Sequence, residues 1–192
     1  MLIETERTPN PATRKYLPGR IVMQAGSRDF PNAAAAEASP LAAALFATDD
    51  VDGVFFGRDF VSVSAVPSAD WSALEPDVLG ILLDHFVTNT PLFTPGNANG
   101  IEVSRDEGFA VEEDPADADI VEQIKELIET RVRPAVAQDG GDIVYRGYRD
   151  GRLYLLMQGA CSGCPSSAVT LKRGIEGLIR HYVPEVESVE AV

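Results

Sequence analysis

The sequence predicts an α+β chain of two small domains, each with helices packed on a short sheet, joined by an acidic linker that contains proline and glycine. Three observations predict it. Strand-like and helix-like patterns alternate within each half, a Pro/Gly/Asn run at Thr90–Gly100 leads into seven acidic residues against one basic between Glu102 and Asp117, and charge divides unevenly about that run. Residues 1–117 carry 7 basic and 19 acidic side chains, residues 118–192 carry 9 and 11. The expected boundaries are a first domain over 1–90, a linker over 91–117 and a second domain over 118–192. With 192 residues and 45% hydrophobic content, the chain can fill two small cores, which excludes disorder throughout.

In the first domain, Ser39-Pro40 before Leu41–Phe46 joins an N-cap side chain to a proline suited to the first helical position, so a helix begins there. Gly53–Gly57 and Phe60–Val66 are rich in aromatic and β-branched residues around the turn-like Gly57-Arg58-Asp59. They predict a β-hairpin. Val78, Leu82 and Phe86 recur at helical spacing within Asp77–Val87, a second helix. No nucleophile stands beside a base in this half. Trp71 reads as a packing residue, and His85 as structural or solvent-facing.

In the second domain, Ile120, Ile124, Leu127 and Ile128 form an apolar helical stripe, and Pro134 in Arg131-Val132-Arg133-Pro134 interrupts or kinks the helix. Gln138-Asp139-Gly140-Gly141-Asp142 is a turn into a strand at Ile143–Tyr148. Arg149-Asp150-Gly151 turns the chain back into a second strand at Arg152–Gln158. From Ser166, the residues Val169, Ile175, Leu178, Ile179 and Tyr182 mark a long helix closed by Pro184, with a short strand in 186–192. The order is α-β-β-α-β.

A formal charge of −14 repels both a phosphate backbone and an anionic lipid surface, so nucleic acid and membrane are not expected partners. No apolar run approaches the roughly 20 residues that cross a bilayer, and the start lacks the pattern of a signal peptide. A soluble, unexported protein is expected. The two cysteines, Cys161 and Cys164, exclude a secreted disulfide framework and fit a reducing compartment.

These thiols carry the chemistry. Gln158–Ser167 joins the second strand to the long helix, and Pro165 suits that helix's first position, so both cysteines are expected on a loop at a helix N-terminus. There the dipole favours thiolate and lowers the pKa. Gly159, Ala160, Ser162 and Gly163 leave room for a bulky inorganic ligand and for backbone amides to donate to sulfur. Three readings follow: two small buried apolar side chains, a redox dithiol, or ligands to a metal or cluster. The first does not account for a glycine-bearing turn between thiols outside the apolar stripes, and the second belongs in a βαβ setting. For the third, zinc or a [4Fe–4S] cluster takes about four protein ligands. One chain offers two thiolates, so a symmetric dimer is the simplest completion. The other soft ligands, His85 and His181, lie far off in sequence, and His181 reads as a helix-face residue.

The stretch Ile124–Val192, through Glu129-Thr130-Arg131-Val132-Arg133-Pro134, Gln138–Asp142 and Gly159-Ala160-Cys161-Ser162-Gly163-Cys164-Pro165-Ser166-Ser167, resembles the NifU-like C-terminal domain of the Nfu iron–sulfur scaffold and carrier proteins. Thr8–Thr13 through Leu17-Pro18-Gly19, with Val54-Phe55-Phe56 and Trp71, resembles the Nfu N-terminal domain. The resemblance implies a [4Fe–4S] cluster shared between two chains through Cys161 and Cys164, as cofactor and metal ligands, and delivered to recipient iron–sulfur apoproteins. It implies no catalytic residue and no enzyme. Its further partners are a second copy of the chain, as a cluster-bridged homodimer, and an upstream cluster assembly scaffold, with the N-terminal domain contacting clients or assembly partners. A thiol-disulfide oxidoreductase and a structural zinc-bridged dimer are the alternatives. The short, unbasic start is expected of a bacterial cytoplasmic form, with a processed mitochondrial matrix protein as the alternative.

Overall fold

The computed structural model describes residues 2–96, 111–162 and 165–192, and the chain divides into two units, Met1–Val103 and Ser104–Val192. Both are mixed α+β, as expected. In the first, β4 (Val51–Phe56) and β5 (Val61–Ala65) form the expected antiparallel hairpin. β1 (Glu4–Arg7), β2 (Thr13–Leu17) and β3 (Arg28–Phe30) extend it to five strands in the order β1-β2-β5-β4-β3. β1 has no apolar alternation to betray it. It is a solvated edge strand whose Glu6 carboxylate meets Lys15 Nζ on β2 at 3.1 Å.

After the short α1 (Ala33–Ala36), α2 (Pro40–Phe46) opens as its sequence dictates: Ser39 Oγ accepts the Ala42 N–H at 3.3 Å, with Pro40 in first place. α3 runs Trp71–Val87, six residues longer than expected at its start. Asp70 caps it by accepting the Ser72 N–H at 2.9 Å, and the buried Leu74 adds an apolar anchor ahead of Pro76. Proline in the second turn removes one helical hydrogen bond, and the cap and the buried leucine outweigh that loss. Tyr16, Phe30, Leu41, Leu45, Phe56, Val78 and Leu82 fill the core.

The second unit has the expected α-β-β-α-β order. α4 (Ala118–Leu127) passes through a single π turn, Ile128–Val132, into α5 (Arg133–Gln138). The regular α-helix is interrupted next to Pro134, as expected: the π turn ends at Val132, and Pro134 lies in the first turn of α5. The wide turn has a packing reason. Ile124, Ile128, Val132 and Val136 are all buried and spaced by four, and in a regular α-helix each such step drifts by about 40°. The π turn holds them on the core.

β6 (Gly141–Arg149) and β7 (Arg152–Gly159) form the hairpin, turned by Asp150 and Gly151 at φ 50° and 76°, the left-handed pair that suits a tight hairpin. α6 (Pro165–Tyr182) then carries the chain to β8 (Ser188–Ala191), which pairs parallel to β7. Ile143, Leu153, Leu155, Ile175, Ile179, Val186 and Val189 complete this core. No described helix is long and apolar enough to cross a membrane.

The segment expected to be linker over 91–117 is docked at both ends. Leu92 and Phe93 pack on the first core, and the Thr94 N–H donates to the Ala38 carbonyl at 3.0 Å. On the other side, Tyr145 Oη donates to Glu113 at 2.7 Å, and Asp114 accepts the Ala116 N–H at 2.9 Å. Residues 97–110, most of the expected linker, lie outside the described residues, and the apolar and hydrogen-bonding residues on either side of them find partners within their own units.

Candidate metal centre

The site is built at the open end of the β6–β7 hairpin. Gly141 begins β6 opposite Gly159, the last residue of β7. Gly140 (φ 82°) and Gly159 (φ 64°) take left-handed conformations that side chains resist, and they turn the chain into β6 and out of β7. The Ala160 N–H donates to the Gly140 carbonyl at 3.1 Å, tying the two turns together. The Ser162 N–H and Oγ donate to the Gly159 carbonyl at 3.0 and 2.8 Å.

Cys161 lies between these bonds and is buried, 4% exposed, within the apolar core of its unit. Gly141 backs its sulfur. A methyl group on Gly141 would lie 2.5 Å from Cys161 Sγ, 2.6 Å from the Gln158 carbonyl oxygen and 3.1 Å from the Cys161 nitrogen, so only glycine fits.

Two sequence expectations change here. Cys161 does not lie outside the apolar packing. Nor is its pKa lowered: burial, with the carboxylates of Asp139 and Asp142 adding, pushes the Cys161 thiol up to about 12. Loss of solvation wins because the side chain has entered the core. Cys164, the second expected ligand, lies outside the described residues.

Behind Gly141 stands a charged clamp. Arg133, first residue of α5, donates from Nε and Nη2 to the two Asp142 carboxylate oxygens at 2.8 and 2.6 Å. Its Nη1 donates to both Glu129 oxygens at 2.8 and 3.0 Å. Asp142 is buried and also accepts the Ile143 N–H at 2.8 Å. Hydrogen bonding to Asp142 raises the Arg133 pKa against the opposing effect of burial, so the guanidinium stays charged. Sequence reasoning read Arg131–Pro134 as a helix interruption and Gln138–Asp142 as a turn, and only the resemblance linked them to the site. The pairing of Arg133 with Asp142 had no signal of its own, because the partners lie on different elements nine residues apart.

The other candidates fall elsewhere. Trp71 is partly buried against the first core with Arg14 at 4.8 Å from its ring centroid, a packing role. His85 is buried in the first unit and its pKa is lowered, by burial first and then by Arg20, so it is structural. His181 is exposed near the end of α6, edge-on to Tyr182. Among the described residues no three His, Cys, Asp or Glu side chains gather as a metal site. Cys161 is thus the one side chain of the expected thiol pair that the described residues include.

A glycine-backed cysteine between a β-hairpin and a long helix, in the second of two α+β units, defines a modular class of protein. Residues 124–190 match the model of the NifU-like domain, and residues 3–89 match that of the scaffold protein Nfu/NifU N-terminal domain. NifU-like protein 5, mitochondrial, of Arabidopsis thaliana is 48% identical over 99% of this chain and 67% of its own length. The mitochondrial NFU1 iron-sulfur cluster scaffold homologs of Drosophila sechellia and Homo sapiens are 45% and 44% identical over the whole chain, and 65% and 72% of their own lengths are covered. The chain thus spans about two thirds of these relatives' lengths. It belongs to the Nfu family, with an Nfu-type first unit and a NifU-like second one.

Proposed function

We propose that this chain is a non-catalytic iron–sulfur cluster scaffold and carrier. Two copies bind one labile [4Fe–4S] cluster as cargo through Cys161 and Cys164 of each, and pass it to recipient apoproteins. The observation that carries the reading is the Cys161 sulfur seated on the Gly141 backbone in a NifU-like domain. The donor chemistry fits: thiolates are the usual cluster ligands, the seat leaves no room for a side chain at Gly141, and the glycines and serine around it are small. Transfer is ligand exchange. Each acceptor thiolate that bonds to iron replaces one carrier thiolate, and the released Cys161 sulfur takes up a proton.

The upstream donor is a cluster assembly scaffold, and the first unit, residues 1–90, recruits clients or assembly partners, while residues 118–192 carry the cargo. The relatives' names are those of mitochondrial scaffold proteins. They favour the mitochondrial matrix for this chain and lend no support to the bacterial cytoplasmic expectation.

Anaerobic reconstitution followed by sedimentation and by iron and sulfide analysis tests the reading. The expected result is one [4Fe–4S] cluster per two chains, with an apoprotein that is monomeric or weakly associated. Cys161→Ser and Cys164→Ser should each abolish stable binding while leaving helix content nearly unchanged. A full cluster on a monomer would refute the bridging, bound zinc would select the structural dimer, and a metal-free redox-active monomer would select the oxidoreductase.

A further inference from the structure

The three stretches that stood out in the sequence converge on one place. The π turn ends at Val132 and delivers Arg133, the helix that follows it faces the Gly140–Asp142 turn, and that turn backs Cys161. A π turn inserts one residue into a helical path and resets which way the following side chains point. Here that resetting has two results. It keeps Val132 and Val136 in the core, and it places the Arg133 fork on the Asp142 carboxylate while Nη1 reaches back one turn to Glu129.

Asp142 is the residue after Gly141, and its Oδ1 also holds the Ile143 N–H. Its carboxylate therefore ties the first residues of β6 to α5. Gly141 is left with little freedom. Its partner across the hairpin is Gly159, two residues before Cys161, and Gly140 holds the Ala160 N–H.

We infer that Arg133 and Asp142 are positioning residues for the cargo thiolate. Their ion pair pins the start of β6 so that the Gly141 backbone keeps Cys161 Sγ in one place, and this sets how long the protein retains its cluster. The inference rests on the proposal that Cys161 is a cluster ligand. It assigns the two residues a role in retention that bulk stability alone does not provide. The groups that hold a metal ligand in place without touching the metal commonly govern affinity, and their removal costs about 10–100-fold.

The test has two arms, each on the full chain. In the first, apoprotein is treated with iodoacetamide under native conditions and modification at Cys161 is followed by peptide mass. In the second, reconstituted protein is mixed with an iron chelator and the cluster's visible absorption is followed. Asp142→Asn and Arg133→Gln should speed both reactions by about tenfold, and Arg133→Gln decides the alkylation arm, because it leaves in place the Asp142 carboxylate that disfavours the thiolate. Arg133→Lys keeps the charge without the fork, and its rates should fall between these variants and the wild type.

A core control, Ile179→Val, separates positioning from stability. It should lower the melting temperature of the second unit without changing either rate. If Asp142→Asn and Arg133→Gln do not fold, Arg133→Lys decides alone. Wild-type rates in folded variants, or equal acceleration by Ile179→Val, would overturn the inference. A wild-type chain that binds no cluster would refute the proposed function, while the alkylation arm would still decide the positioning role.

Discussion

Gly141→Ala puts the tightest contact of the site under direct test. The added Cβ would stand 2.5 Å from Cys161 Sγ and 2.6 Å from the Gln158 carbonyl oxygen, both far inside van der Waals contact. The carbonyl belongs to the backbone of β7, and the sulfur is buried, so neither retreats without moving the hairpin end. Overpacking of this kind costs about 1–3 kcal/mol. For a unit of this size, 2 kcal/mol corresponds to a loss of roughly 8–16 °C in melting temperature. The control is Gly177→Ala in α6, where an added Cβ meets nothing within 4 Å. Alanine should stabilise that helix by about 0.5–1 kcal/mol. Two substitutions of identical chemistry thus carry opposite signs. Scanning calorimetry of the full apoprotein reads both, and cluster retention should fall only in Gly141→Ala. If Gly141→Ala melts at or above the wild-type temperature, the close seat of the sulfur is wrong, and with it the account of the site.

Two further outcomes concern the first unit. His85 is buried and its pKa is lowered by lost solvation, so its contribution to stability is fully present above the ordinary histidine value and is lost as pH falls through the lowered one. His85→Gln should flatten the fall in that unit's stability as pH drops below the ordinary histidine value, read from urea melts; an unchanged slope would place the acid sensitivity elsewhere. A chain beginning at Ser104 keeps the Glu113–Tyr145 bond and the Asp114 cap, and it should assemble its cluster normally while transferring it more slowly to an acceptor at sub-saturating concentration. Equal transfer rates from the full and shortened chains would remove the recruiting role.

Elements with strong local chemistry were legible in the sequence. Ser39-Pro40 announced α2, Asp150-Gly151 announced the β6–β7 hairpin, and the alternation in Val61–Ala65 announced β5. Elements defined by tertiary partners were not. β1 is polar throughout and becomes a strand because β2 pairs with it, and α3 extends through Pro76 because Asp70 and Leu74 outweigh one lost hydrogen bond. The site divides the same way. A glycine-bearing CxxC segment marked Cys161 locally. Its burial came from the hairpin register, and the Arg133 clamp came from a π turn whose cause is the four-residue spacing of Ile124, Ile128, Val132 and Val136.

The burial of Cys161 changes the physical account of lability. An exposed loop would let cargo go because acceptor thiols reach it easily. On the proposed function, a sulfur in the core would instead work through its own protonation. In the cargo-free chain the thiol is favoured, with a pKa moved from 9.0 to about 12. Burial thus biases the sulfur toward the protonated form. Binding a cluster must overcome that bias, since the ligand is a thiolate, and release recovers it as the sulfur takes up a proton. The Gly141 seat and the Arg133–Asp142 clamp act in the opposite sense, because they fix the sulfur where iron finds it without a search. On the proposed function, orientation is set by the glycine and the Arg133–Asp142 pair, and proton return mostly by the apolar surroundings of Cys161, with the Asp139 and Asp142 carboxylates adding to it. Arg133→Lys, which leaves the Asp142 carboxylate in place, should shorten the cargo's residence while leaving the proton uptake that accompanies its departure nearly unchanged.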